Sequence, residues 1–116
     1  MIEVKLLAYL NAHLTNPIQA SMLKPKQPVP SAFVVCEKTG DSESNRVRTA
    51  TFAIQSYGPT LLDAATLSEN VYEILEGFIS EVNVFRCKRI SDYNFTDIDT
   101  KEFRYQSVYE INYMEV

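Results

Sequence analysis

Three glycines, one histidine, two cysteines and no tryptophan are all that the 116 residues offer to several common site chemistries. Gly40, Gly58 and Gly77 are isolated from one another, so there is no phosphate-cradling loop, no Walker pattern and no dinucleotide fingerprint. Cys36 and Cys87 lie far apart with no Cys-x-x-Cys, and His13 stands alone, so neither a zinc site nor a disulfide framework can be assembled; a reduced pair is expected. No apolar run approaches the roughly 20 residues that cross a bilayer. Glu3 and Lys5 interrupt the amino-terminal segment with charge, so neither a secretory signal nor a membrane anchor is expected. The 11 basic residues are scattered and outnumbered by 15 acidic ones, giving a net charge of −4. That balance argues against direct nucleic-acid binding, which needs clustered Lys and Arg to neutralise phosphates. An acidic surface instead repels DNA over a Debye length of about 8 Å at physiological salt.

What is present suits one globular unit. Apolar residues make up 46% and charged residues 22%, a balance that can build a core, and the length fits a single domain spanning 1–116. Ile2, Leu6, Leu10 and Leu14, joined by Leu7, form one apolar stripe and predict a helix of about three turns that ends near Asn16-Pro17. Residues 15–30 hold Pro17, Pro25, Pro28 and Pro30, leaving room for an edge strand over Ile18–Leu23 at most. Ala32–Lys38 is apolar on both faces and predicts an interior strand. The polar run Thr39–Asn45 predicts a long loop, after which Val47–Tyr57 resumes alternation with Ala50, Phe52 and Ile54 on one side. Pro59 is placed near the start of a second helix reaching about Glu76, with Gly77 to end it. Its stripe is Leu61, Ala64, Ala65, Leu67, Val71, Ile74, Leu75 and Phe78, and Asp63, Glu69, Glu73 and Glu76 make the outer face acidic. Val82–Ile90 and Phe103–Tyr113 then predict a second hairpin, joined by a long loop over Ser91–Thr100. The expected fold is α+β: a mainly antiparallel or mixed sheet of four to five strands with two helices on one face, in the order α-(β)-β-β-α-β-β.

No catalytic set emerges. Asp97 and Asp99 invite a calcium reading, but an EF-hand loop places a third ligand where Lys101 stands and a glycine where Glu102 stands; an acidic turn with local backbone hydrogen bonds fits better. His13 sits near a helix carboxyl end, a favourable place for imidazolium. A hydrolase using His13 with Cys36 or Cys87 has no flanking signature to support it. Glu69 and Glu73 share a helix face, but the Glu-x-x-His partners of a di-iron bundle are missing. Tyr105, Tyr109 and Tyr113 alternate on one side of the last strand, as a core face or as a subunit interface. Asp41, Glu43, Arg46 and Arg48 on the projecting connection, and Tyr93 and Phe95 in the later loop, are the candidate subunit contacts. No catalytic, cofactor-binding or metal residue is assigned.

Four stretches carry a family likeness: Phe33-Val34-Val35-Cys36-Glu37-Lys38-Thr39-Gly40, Ala50-Thr51-Phe52-Ala53-Ile54-Gln55-Ser56-Tyr57, Asp92-Tyr93-Asn94-Phe95-Thr96-Asp97 and Arg104-Tyr105-Gln106. The chain resembles a family of small phage and prophage proteins of the tail-terminator type, from the head-to-tail joining region of long-tailed phages of Gram-positive bacteria. Cys36 departs from it, standing where an aliphatic residue is expected. The resemblance implies a structural α/β subunit that forms a hexameric ring on the tail tube, stops its growth and presents a surface to the head connector. Its implied partners are further copies of itself, the tail tube protein and the head connector protein, with no cofactor. Its implied location is the host cytoplasm during assembly and then the virion tail. A head-completion or neck protein fits the same class. A small α+β ligand-binding or regulatory module is the alternative from a different class.

Overall fold

A computed structural model describes residues 1–26 and 29–115. Helix α1 covers Ile2–His13 and helix α2 Leu61–Leu75, with a 3-10 turn at Phe78–Ser80. Five strands, β1 Ala20–Ser21, β2 Phe33–Ser44, β3 Val47–Gly58, β4 Val84–Asn94 and β5 Phe103–Tyr113, form one sheet in the order β1-β2-β3-β5-β4. All neighbouring pairs are antiparallel except β1 with β2, so the fold is α+β with a mixed sheet. A strand of 12 residues rising about 3.3 Å each is about 40 Å long. The strands therefore set the long axis of a body measuring 44 × 25 × 24 Å.

The period-2 face predicted for β3 is the centre of the core: Ala50, Phe52 and Ile54 are buried, beside Tyr109, Ile111 and Tyr113 of β5. Against this face lie Ile2, Leu6 and Leu10 of α1 and Leu67, Val71 and Leu75 of α2. The tyrosines at 109 and 113 are thus core residues, whereas Tyr105 is half-buried. On the opposite face Phe33, Val35 and Tyr57 form a smaller cluster with Val29, the rings of Phe33 and Tyr57 stacking at 4.4 Å.

Several boundaries differ from the sequence-based expectation. Helix α1 ends at His13, because Leu14 already turns extended to bury its side chain. The edge strand is only Ala20–Ser21, gripped by Asn11, whose Nδ2 donates to the Ala20 carbonyl at 3.0 Å and whose Oδ1 accepts the Ala20 amide at 2.7 Å. Pro28, counted in the proline-rich stretch, lies outside the described residues. Pro59 precedes the cap instead of opening the helix; Thr60 is the N-cap, its Oγ1 accepting the Asp63 amide at 3.1 Å. The buried stripe of α2 is narrower than predicted: Leu61 is exposed, Ala65 and Ile74 are half-buried, and Ser68 is buried. Gly77 keeps φ −87° rather than a left-handed cap.

The largest correction concerns the loops. The run Thr39–Ser44 continues β2, broken only by an irregularity between Lys38 and Gly40, and pairs with β3 up to Ser44↔Val47. Asn45 and Arg46, with φ of 54° and 68°, make a two-residue turn of the kind that matches strand twist. Likewise Ser91–Asn94 belongs to β4, so the expected loop over Ser91–Thr100 begins four residues later and is pinched by a bridge between Asp97 and Glu102.

Gly58 ends β3 directly against the start of α2. A Cβ there would stand 2.7 Å from the Ala64 amide nitrogen and 2.9 Å from the Asp63 Cβ. Gly58→Ala should therefore lower stability by about 1–2 kcal/mol through overpacking, read as a lower urea midpoint with unchanged slope.

Candidate functional site

The register places the candidate contacts in two groups at opposite ends of the sheet. At the β2–β3 end, Glu43 pairs with Arg48, Arg48 with Tyr113 and Tyr113 with Val84. One carboxylate oxygen there, Asp41 Oδ2, accepts from three donors: Tyr113 Oη at 2.6 Å, Arg48 Nη2 at 3.0 Å and Lys38 Nζ at 3.2 Å. Lys38 also reaches Glu3 of α1 at 3.2 Å, and Arg48 reaches Glu115 at 3.7 Å and Glu43 at 4.0 Å. The Arg48 guanidinium lies 5.4 Å from the Tyr113 ring centroid. Burial raises the Asp41 pKa, but the Tyr113 and Lys38 hydrogen bonds and the nearby cations outweigh it, and the net shift is downward. Burial and the Asp41 contact both raise the Tyr113 pKa.

Asp41 and Arg48 are thus engaged within the chain, binding the projecting hairpin to α1 and to the end of β5. Arg46 stands exposed on the turn and takes part in no ion pair among the described residues. Sequence reasoning missed Lys38, Tyr113 and Glu3 as members of this group: Tyr113 and Glu3 are far from Asp41 in the chain, and Lys38, three residues away, closes the strand that the sequence pattern predicts before a loop.

At the other end, Tyr93 and Phe95 meet edge to face with centroids 5.9 Å apart. Arg104 organises them: its guanidinium lies 4.6 Å from the Phe95 ring and 5.7 Å from the Tyr57 ring. Its Nε donates to the Phe95 carbonyl at 2.7 Å and its Nη1 to the Tyr57 hydroxyl at 3.1 Å. Gln55 donates to Gln106 at 2.8 Å, and Gln106 donates in turn to the Tyr93 hydroxyl. The product is a half-exposed aromatic and arginine surface on the face away from the helices, of the composition that dominates binding hot spots. In the sequence Arg104 stands out only within the stretch Arg104-Tyr105-Gln106; its register opposite Tyr57 supplies the role.

A third polar group fixes α2 on the sheet. Asp92 Oδ1 accepts from Ser107 Oγ at 2.7 Å and Ser68 Oγ at 2.9 Å, and the two hydroxyls are 3.1 Å apart. Arg89 adds a 2.9 Å bond to Glu69 and lies 3.9 Å over the Tyr72 ring. Ser68 and Ser107 are buried, so this network satisfies them and holds the helix in register. Parity could have found both: Ser68 sits four residues after Ala64 on the buried stripe, and Ser107 alternates with Tyr105 and Tyr109.

The reactive side chains do not converge. His13 Nδ1 lies 2.8 Å from the Tyr9 carbonyl at the end of α1. Burial pushes the thiols of Cys36, on β2, and Cys87, on β4, up to about 12, which keeps them protonated and poorly nucleophilic near neutrality. Asp97 Oδ1 accepts the Asp99 and Thr100 amides at 3.0 and 3.4 Å, the local turn bonding predicted for it. Among the described residues no group of His, Cys, Asp and Glu is arranged to hold a metal ion, and no helix is long and apolar enough to cross a membrane. A groove of about 610 Å³ runs beside α2, with Ile18, Ala32 and Leu67 apolar and Asp63, Glu69 and Glu73 acidic.

No protein-family model matches the chain, and no curated protein does.

Proposed function

We propose that this chain is a non-enzymatic structural subunit, a tail terminator or closely related head-tail joining protein that caps a tail tube as a hexameric ring. The likeness of its four strand and turn stretches to that family motivates the reading. The observation that carries it is the distribution of exposed apolar side chains over both ends of an elongated body. At the end bearing Tyr113, Met1 and Val82 are 70% and 76% exposed, with Lys5 Nζ donating to the Val82 carbonyl. At the other end Leu23, Leu62 and Ile98 are each at least 75% exposed, near the Lys24–Glu102 ion pair and the start of α2. A subunit with apolar contacts at both ends of its strands suits a piece that sits between two partners, here the tube protein and the head connector. Nucleic acid is not a partner in this reading, and the net charge of −4 lets DNA pass without adhering.

Light scattering coupled to size exclusion, over a wide concentration range, tests it. The expected mass is six times the 13.2 kDa chain; a monomer at every concentration overturns the ring. The groove beside α2 favours a second reading, a ligand-binding module, because apolar walls with a few polar groups are the usual make-up of such sites. That reading expects a monomer or dimer and saturable amide shifts at Leu67, Asn70 and Glu73 in a fragment titration.

A further inference from the structure

We propose that copies join by pairing sheet edges: Gly40–Ser42 on the outer side of β2 forms an antiparallel ladder with Arg86–Lys88 on the outer side of β4 in the next copy. This rests on the ring reading above and names the surface that closes it. Both edges are open among the described residues. β1 covers only Val34 and Val35 of β2, and β4 is the last strand on its side. Unpaired strand edges expose rows of amide and carbonyl groups that another strand can satisfy.

Direction and height both agree. β2 runs opposite to β3, β3 to β5 and β5 to β4, so β2 and β4 run in opposite directions. A neighbour generated by rotation about an axis along the strands therefore presents its β2 antiparallel to β4. Following the register across the sheet, Ser42 is level with Thr49, Asn112 and Arg86, and Asp41 with Ala50, Ile111 and Cys87. Gly40 is level with Thr51, Glu110 and Lys88. The same rotation, with no rise, thus brings Gly40–Ser42 opposite Arg86–Lys88.

Bulges commonly guard an edge against pairing, but here they frame the stretch. The irregularities of β4 fall between Val84 and Arg86 and between Arg89 and Ser91, and that of β2 between Lys38 and Gly40. Arg86–Arg89 and Gly40–Ser44 remain regular. Phe85 and Ile90, at the two irregularities of β4, are 53% and 51% exposed and would be covered by the neighbour. Charge selects the partner edge. Asp41 is paired with Lys38 and Arg48, and Arg89 with Glu69 and Asp92, which leaves Glu37 and the exposed Glu43 along β2 and Arg86 and Lys88 along β4. Unlike edges attract and like edges repel, which disfavours a symmetric dimer and favours the head-to-tail contact that can close into a ring.

The test is a disulfide across the edge, with Ser42→Cys and Arg86→Cys in a Cys36→Ala/Cys87→Ala background. Within one copy these positions are separated by three strand spacings of about 4.8 Å, about 14 Å in all, too far for an intrachain bond. Oxidation should give a ladder of covalent multimers on a non-reducing gel, ending at the closed ring. The same background with Ser42→Cys and Ser91→Cys, which are not level, should give none. Lys88→Glu in the natural-cysteine protein, a surface change independent of that background, should weaken self-association about ten-fold by light scattering. An oligomer that forms no ladder and is indifferent to Lys88→Glu overturns the strand pairing and leaves the ring standing. A monomer at every concentration overturns both.

Discussion

Phe52→Ala should lower the unfolding free energy by about 3–5 kcal/mol, the cost of removing a fully buried aromatic ring and leaving a cavity. Phe52 lies midway along β3, paired with Lys38 on one side and Tyr109 on the other, and is 0% exposed. Both helices pack on that face, so no mobile neighbour is available to fill the space. A domain of this size is held by about 6–17 kcal/mol in total. The expected loss is a large share of it and corresponds to a fall in melting temperature of roughly 10–20 °C. Phe85→Ala is the informative contrast. Its side chain stands out from an irregularity of the edge strand, so stability should move by no more than about 0.5 kcal/mol. If the edge pairs with a neighbour, Phe85→Ala should instead reduce the oligomer at a given concentration. Equal losses of stability in the two variants would mean that the core is not where the burial pattern puts it.

Why Phe52 was legible and the hairpin was not follows from the same physics. Periodicity reports a buried face, and Ile2, Leu6 and Leu10 in α1, like Ala50, Phe52 and Ile54 in β3, share one. From Glu37 onward β2 has almost no buried side chain, so its polar run carries no hydrophobic signal and resembles a loop. The turn that closes the hairpin was hidden too. Two-residue turns of this geometry favour a glycine at the second position, and Arg46 occupies it with φ 68°. Ser91–Asn94 was lost to the same silence, because only Asp92 among those residues faces a buried partner, Ser107. The candidate contacts were legible as exposed charge and aromatic content. Their division into two groups at opposite ends of the sheet needed the register, which no stretch of sequence states.

Replacing Asp41 tests the tighter of those groups. Three donors converge on one oxygen, one of them from the buried Tyr113, so Asp41→Ala should cost about 3 kcal/mol at pH 7 by leaving that hydroxyl and two cations without their acceptor. The pH dependence separates charge from shape. The carboxyl pKa is lower in the folded chain than the unfolded value of about 3.9. Its ionised form therefore contributes stability above that unfolded value, and the contribution is lost as pH falls through the lower folded pKa. Asp41→Asn, similar in shape but uncharged, should be less stable than the natural chain at neutral pH by about 2 kcal/mol. The two curves should converge as pH drops from about 5 through the carboxylate range, which urea unfolding at stepped pH would record. A constant gap across that range would mean that the acceptor's shape matters and its charge does not. Because this network ties Lys38 to Glu3 of α1 and Arg48 to Glu115, it also fixes the outer half of β2, including Gly40–Ser44, in one position. An edge held in one register before it meets a neighbour loses less conformational entropy on pairing than a free one. Acid should therefore weaken self-association over the same pH window in which the Asp41 contribution to stability disappears.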